Sequence, residues 1–403
     1  MIAPAALYIH VPLCRSKCAY CDFFSLPVPA GGDETYDRLV AATLDRAGVL
    51  TERFEAGPYR SVFVGGGTPT ALPDAAFARL LRGLAALAPD PEEWTVEANP
   101  ESLSPAKLEA MLAAGVTRLS LGVQSLDDGL LRILGRPHDA ELALKAMELA
   151  SSSGLELSAD LMACLPQPPE TRGRPRELAA EAERLAELGA DHLSIYDLVL
   201  EEGTPLAASL ASGRLSPRPE ELDCEEREAA EASLAARGFR RYEISNYALP
   251  GSECLHNLAY WRMDSYLGAG PGAVSTIRTE GGCSLRIEEW REPGRYGREA
   301  AELAREERVP RLESAFEALM MAFRTRFGLD LDGFARRFGC ELAELLPETL
   351  ASWEGRLGPG WGGGRSLALD EVGLDLQNRF LADCLGELER TGFPGRSRAD
   401  IAP

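Results

Sequence analysis

The sequence predicts an α/β fold, a partial (β/α)6 barrel followed by a smaller, mainly helical C-terminal domain. Short apolar runs alternate with longer amphipathic stretches at roughly 30-residue spacing, the rhythm of parallel strands with helices outside. The chemically unusual residues gather just past the ends of the apolar runs, where barrels of this kind carry their sites.

Candidate strands cover residues 6–11, 61–64, 94–97, 118–123, 156–162 and 192–198, and helical periodicity covers 36–53, 74–87, 104–114, 139–152 and 176–188. The first strand runs into a cysteine loop and the second into Gly65-Gly66-Gly67-Thr68-Pro69-Thr70. The third ends at Glu97-Ala98-Asn99-Pro100, the fourth at Gly122-Val123-Gln124-Ser125, and the fifth carries Asp160. These loops are expected to converge on one rim. Beyond residue 200 the pattern weakens into an acidic helix over 220–237, a strand-like run over 241–246, an aromatic-rich segment over 256–261 and a tight glycine loop over 268–272. From about Glu288 the chain reads as helical and charged, with an amphipathic helix over 311–327 and a glycine-rich hairpin turn over 358–364. The expected domains are 1–287, the barrel with an extension, and 288–403.

Composition narrows the function. A chain of 403 residues, 45% apolar, can bury a substantial core. A formal charge of −21 repels phosphate backbones and anionic lipid, so nucleic acid is not an expected partner. No apolar run is long enough to span a bilayer, and the N-terminus lacks the basic and apolar regions of a signal peptide, so a cytoplasmic location is expected. Nine cysteines, three of them clustered, point to metal or catalysis rather than a disulfide scaffold.

Cys14, Cys18 and Cys21 form a C-x3-C-x2-C loop, a pattern expected by chance on the order of 0.004 times in such a chain. Thiolates this close can grip three corners of a cubane cluster and leave one iron open. The competing reading is a zinc site with a fourth ligand such as His10. The run Gly65 to Gly67 lets a ligand approach the backbone, or makes a tight strand-to-helix turn; it is no P-loop, because no Gly-Lys-Ser/Thr follows. Glu97, Gln124, Arg136 and Asp160 stand at or beyond strand ends, where a carboxylate suits a ribose diol and an arginine fork suits a carboxylate; each could equally be a capping or solvated residue. In His256-Asn257-Leu258-Ala259-Tyr260-Trp261, a neutral imidazole beside flat rings suits an axial haem-iron ligand, and the alternative is a hydrogen-bonded core histidine. Cys254, two residues before His256, reads as a competing thiolate ligand or as a small buried apolar residue, and His138 and His192 as surface or core residues.

In order and spacing these motifs resemble the radical-SAM group that includes oxygen-independent coproporphyrinogen dehydrogenase. The likeness rests on Tyr8, His10 and Pro12, the cysteine loop closed by Tyr20-Cys21-Asp22-Phe23, the glycine run, and the segments ending at Pro100, Ser125 and Met162. It covers nearly the whole chain. Within the group the chain looks like the HemW-type haem chaperones. Phe23 stands where the dehydrogenases carry a further cysteine, and no long extension precedes Cys14. Residues 256–261 match the haem-binding signature of that branch, which Gly135-Arg136-Pro137-His138, Glu317-Ala318-Leu319-Met320 and Gly373-Leu374 also resemble.

The resemblance implies a radical-SAM, TIM-like partial barrel with a [4Fe–4S] cluster on Cys14, Cys18 and Cys21. It implies contacts to S-adenosyl-L-methionine (SAM) from Tyr8, Tyr20, Gly66, Gly67, Thr68, Glu97, Gln124, Arg136 and Asp160, and His256 as haem ligand in the extension of residues 1–287. It further implies haem or porphyrin as cargo, apo-haemoproteins (soluble or membrane-associated) as acceptors, and an electron donor that reduces the cluster for SAM cleavage. The alternative within the group is a coproporphyrinogen III dehydrogenase of porphyrin biosynthesis, against which the missing fourth cysteine counts. Cys164 departs from the pattern, standing where the family usually has glycine.

Overall fold

The computed structural model describes residues 3–27, 33–292, 296 and 304–393. Strand β1 (Ala6–Val11) is followed by two short pieces, β2 (Leu13–Cys14) and β3 (Leu26–Pro27), that pair with each other in parallel. Next come β4 (Ser61–Gly66), β5 (Glu93–Ala98), β6 (Arg118–Gln124), β7 (Glu156–Ala163) and β8 (His192–Asp197). Strand β1 and strands β4 to β8 lie side by side in sequence order, all parallel, as a partial barrel requires. Helices Asp33–Arg53, Asp74–Leu87, Pro105–Ala114, Ala140–Ser151 and Leu178–Glu187 fall between them. Every strand and helix expected in this half is present, with ends shifted by less than a helical turn.

Strand side chains alternate between two faces. One set, including Leu7, Ile9, Val62, Val64, Leu119 and Leu121, is almost wholly buried in the main core with helical residues such as Phe77, Leu80 and Met147. Each such aliphatic side chain contributes about 1.5–3 kcal/mol, so this layer carries the stability. The other set points into the barrel and is polar. Cross-strand register places Glu97, Ser120, Ser158 and His192 in one row. Barrels commonly fill this space with aliphatic layers; here it holds a cavity of about 280 Å³.

Local signals set the helix ends. Ser104 accepts the Lys107 N–H and Asp139 accepts the Leu142 N–H, while Gly115, at φ 91°, stops the helix Pro105–Ala114.

The later chain departs more from expectation. The run over 241–246 is broken into β9 (Arg240–Arg241) and β10 (Asn246–Ala248), because the Glu243 carboxylate turns back to accept the Ser245 N–H at 3.0 Å. The aromatic segment forms a helix, Leu255–Trp261. Strand β11 (Tyr266–Ala269) then adds in parallel beside β1, so Gly268 and Ala269 lie in a strand and the turn begins at Gly270.

Antiparallel β12 (Val274–Arg278), β13 (Ser284–Glu289) and β14 (Ala304–Val309) extend this side. The sheet therefore runs β14-β13-β12-β11-β1-β4-β5-β6-β7-β8-β10-β9. Residues after Glu288 were expected to be helical, yet 304–309 is a strand. It is an edge strand, and its charged side chains point largely to solvent, which discourages pairing with another sheet.

The next helix is Arg311–Ala322, shorter than expected, because Gly328 at φ 70° donates to Thr325 Oγ1 at 3.1 Å and turns the chain. Strands β15 (Leu329–Asp330), β16 (Leu357–Gly358) and β17 (Ser366–Leu369) form an antiparallel sheet that contains the expected hairpin. A second core gathers Phe323, Phe334, Phe338 and Phe380. Among the described residues no helix is long and apolar enough to cross a membrane.

Candidate functional site

Strand β1 delivers the chain to Cys14, and the β2–β3 pairing ties the two ends of the cysteine loop. The loop is also pinned from outside: Ala19 N–H donates to Leu134 O and Leu206 N–H to Ala19 O, both at 2.9 Å. Cys14, Cys18 and Cys21 are free and half-buried. Cys14 Sγ lies 3.6 Å from Thr68 Oγ1, and Arg136 Nη1 donates to Cys18 Sγ at 3.3 Å. Asn99 joins these donors, giving Nδ2–H to Thr68 Oγ1 at 2.9 Å and receiving Arg136 Nη2–H on Oδ1 at 2.6 Å. A continuous hydrogen-bond chain thus links Cys14 to Cys18 through Thr68, Asn99 and Arg136, residues supplied by the loops after β4, β5 and β6.

Burial pushes the Cys14 and Cys21 thiols up. Holding them as thiolates would take positive charge, which Arg136 offers to Cys14 and a bound metal centre would supply to both. Three sulfurs on one loop, with a guanidinium and a hydroxyl directed at them, fit a [4Fe–4S] cluster, whose sulfurs are tuned by such bonds. His10, the fourth ligand of the zinc alternative, is engaged elsewhere. Its Nε2 donates to Phe24 O at 3.0 Å and its Nδ1 accepts the Tyr8 hydroxyl at 2.9 Å.

The glycine run is shaped by its neighbours. A Cβ on Gly65 would lie 2.7 Å from Glu97 Oε2, and one on Gly67 would lie 2.6 Å from Leu13 O. Gly66, at φ 106°, donates its N–H to Glu97 Oε2 at 3.1 Å, which couples the run to the barrel interior. Glu97, Asp160 and Tyr8 all face the cavity. Burial, reinforced by the charge of Asp160, raises Glu97 to about 7. Burial raises Asp160 to about 6, although the Ser120 hydroxyl approaches it at 3.4 Å. Two carboxyls held near neutrality in one chamber favour a cationic guest, which stabilises their charged forms.

Gln124 is buried at a β-bulge with φ 68°, and its carbonyl accepts Arg176 Nη2–H at 3.3 Å. Arg176 is paired at 2.8 Å with Glu181, which also accepts Ser125 Oγ–H and Leu126 N–H. Neither partner of this buried pair stands out in the sequence, because no motif or spacing marks it. Asn99 was legible as part of a strand-end motif, but its bridging role was not. Tyr20 packs against the cluster of Leu130, Leu134, Met162 and Leu165. Cys164 has φ 57°, a left-handed conformation that glycine adopts without strain, and its Sγ donates to Asp197 Oδ1 at 3.2 Å.

His256 does not offer iron an open nitrogen. It is fully enclosed, with Nδ1 3.0 Å from Ser61 Oγ and Nε2 2.9 Å from Tyr260 Oη, and burial lowers it to about 3. The hydrogen-bonded core histidine is the alternative that this geometry matches. Buried Glu93 draws the residue in by accepting the Leu255 and His256 N–H groups at 2.8 and 3.0 Å. Glu93 and Ser61 begin their strands, so the helix sits at the barrel end opposite the cysteines. His138 and His192 are buried as well, His138 donating Nε2–H to Val123 O at 3.1 Å.

Residues 8–179 match the Radical SAM superfamily and residues 309–357 match the HemN C-terminal domain. The chain is 37% identical over 278 residues to heme chaperone HemW of Mycobacterium tuberculosis, covering 68% of this chain and 70% of that protein. It is 33% identical over 352 residues to heme chaperone HemW of Bacillus subtilis, covering 85% and 89%. Among solved structures, coproporphyrinogen III oxidase (HemN) from Escherichia coli superposes with a TM-score of 0.75 at 21% identity, over 95% of this chain and 90% of that one, a likeness of fold.

Proposed function

This chain belongs to the HemW family within the radical SAM superfamily, and from that premise we propose that it is a haem chaperone that carries a [4Fe–4S] cluster and SAM and passes haem to apo-haemoproteins. The observation that carries the reading is the hydrogen-bond chain from Cys14 through Thr68, Asn99 and Arg136 to Cys18. It places a sulfur-directed donor on two of the three thiolates and fixes the rim of the barrel around them.

In this reading Cys14, Cys18 and Cys21 hold the cluster, and Arg136 and Thr68 set the charge at its sulfurs. When bound, the cluster supplies one-electron chemistry at its open iron. Tyr8, Glu97 and Asp160 bind the cationic end of SAM from the chamber, with Gly66 and Gly67 admitting it close to the backbone. Tyr20, Gln124 and Arg136 complete the contacts at the rim, Arg136 offering a guanidinium to the SAM carboxylate. The partners are haem, apo-haemoprotein acceptors and an electron donor, in the cytoplasm. The chain divides into residues 1–287, the barrel with its extension, and 288–403, a reading supported by a second core that gathers residues from Ala315 onward.

The test is anaerobic reconstitution followed by three measurements. About four irons per chain with matching sulfide are expected. The EPR spectrum of the reduced protein should change on adding SAM. Haem-loaded protein should transfer haem to an apo-haemoprotein, followed by the Soret band of the acceptor, and should make no protoporphyrinogen from coproporphyrinogen III. A protein with the cluster that transfers no haem to any acceptor tried, or that turns over coproporphyrinogen III, overturns the reading.

A further inference from the structure

The barrel floor contains two matching relays. In one, His256 lies between Ser61 Oγ at 3.0 Å and Tyr260 Oη at 2.9 Å. In the other, His192 lies between Ser158 Oγ at 2.8 Å and Tyr242 Oη at 2.9 Å. Each imidazole uses Nδ1 for the serine and Nε2 for the tyrosine, and both rings line the same cavity as Glu97 and Asp160. Both are shut off from solvent, at 0% and 2% exposure.

The floor is braced from behind. Arg118 donates to Ser252 O at 3.0 Å just before the Leu255–Trp261 helix. The C-terminal unit holds the other relay, Arg326 N–H donating to Tyr242 O at 2.9 Å. Arg262, next after the helix, lies 5.5 Å from the Phe327 ring, and Met263 packs against the second core. A flat cofactor reaching His256 would displace the helix from Glu93 and break both bonds of the imidazole.

We infer that His256 is a positioning residue of the barrel floor, equivalent to His192, and not the haem-iron ligand. It holds Ser61 and Tyr260 under the chamber, and its ring centroid lies 5.2 Å from that of Phe63 and 6.4 Å from that of Tyr8. The haem half of the inference rests on the proposed function, whereas the chamber half does not.

The test compares His256→Ala, His256→Gln and His192→Ala in the full-length, cluster-reconstituted protein, by haem titration and by SAM titration read through cluster EPR. Glutamine keeps a donor and an acceptor but no imidazole. Expected are wild-type Soret positions and haem affinities within about twofold in all three. SAM binding should weaken by about fivefold in both alanine variants, the loss of about one hydrogen bond's worth, and should recover in His256→Gln. A Soret shift with at least tenfold weaker haem binding in both His256 variants, absent in His192→Ala, overturns the inference. So does unchanged SAM binding in folded His256→Ala. If the wild type itself binds no haem, the haem-chaperone reading fails instead, and the SAM arm still decides the positioning role.

Discussion

Arg136 Nη1 donates to Cys18 Sγ at 3.3 Å, joining a strand-end loop to the cysteine loop 118 residues earlier in the chain. The same guanidinium binds Asn99 Oδ1 and Gly122 O through Nη2, so one side chain braces two strand ends while placing positive charge against a cysteine sulfur.

Replacing Arg136 by leucine should therefore leave the cysteines able to take up iron but weaken SAM binding ten- to hundredfold, the loss of about 1.5–3 kcal/mol expected for a charge-assisted hydrogen bond. Iron and sulfide content, together with the SAM-induced EPR change, checks this. Wild-type SAM affinity in Arg136→Leu would dismiss the assignment.

Glu97 is raised from 4.5 to about 7 by burial and by Asp160. The folded chain holds this proton more tightly than the unfolded chain does. Its contribution to stability is thus complete below about pH 4.5 and is lost as pH rises through about 7. Melting of the protein without SAM should fall in temperature between about pH 5 and pH 8, and Glu97→Gln should flatten that fall. SAM affinity should rise over the same window as the carboxyl ionises. A melting profile equally steep in Glu97→Gln would refute the role of Glu97.

Cys164 holds φ 57° and bonds Asp197 through Sγ. Cys164→Gly removes the left-handed strain and Cys164→Ala keeps it, so the glycine variant should be the more stable of the two by about 1 kcal/mol. Parallel denaturant melts under argon measure the difference, and equal stabilities would show that the position is unstrained.

Gly66→Ala should be severe, since φ is 106° and a Cβ would lie 2.4 Å from the His10 ring. The displaced His10 would also release Tyr8 and Phe24. A loss of about 2 kcal/mol or more is expected, with impaired SAM binding. Circular dichroism melts with SAM titration would reveal whether the substitution is instead tolerated.

Arg176→Met leaves Glu181 as a buried charge without its partner and frees the Gln124 carbonyl. Breaking a buried pair in this way costs about 3–5 kcal/mol. The double variant Arg176→Met/Glu181→Leu should recover part of that loss, as measured by melting temperature, because no lone charge remains.

The sequence alone determined the strand–helix alternation, the cysteine loop and the family likeness, because each is written in local periodicity or fixed spacing. Its readings failed where neighbours distant in sequence decide. The charged run over 304–309 is a strand because β13 pairs with it, and no internal pattern announces that partner. In the sequence His256 stands between two readings, haem ligand and hydrogen-bonded core histidine, and the geometry that matches the second depends on Ser61, 195 residues away, on its Nδ1. Asn99 gained its place between Thr68 and Arg136 in the same way. The motif fixes which groups are present. The pairing of strands decides which of their atoms remain free, since a buried polar group must find its partner wherever the fold brings one.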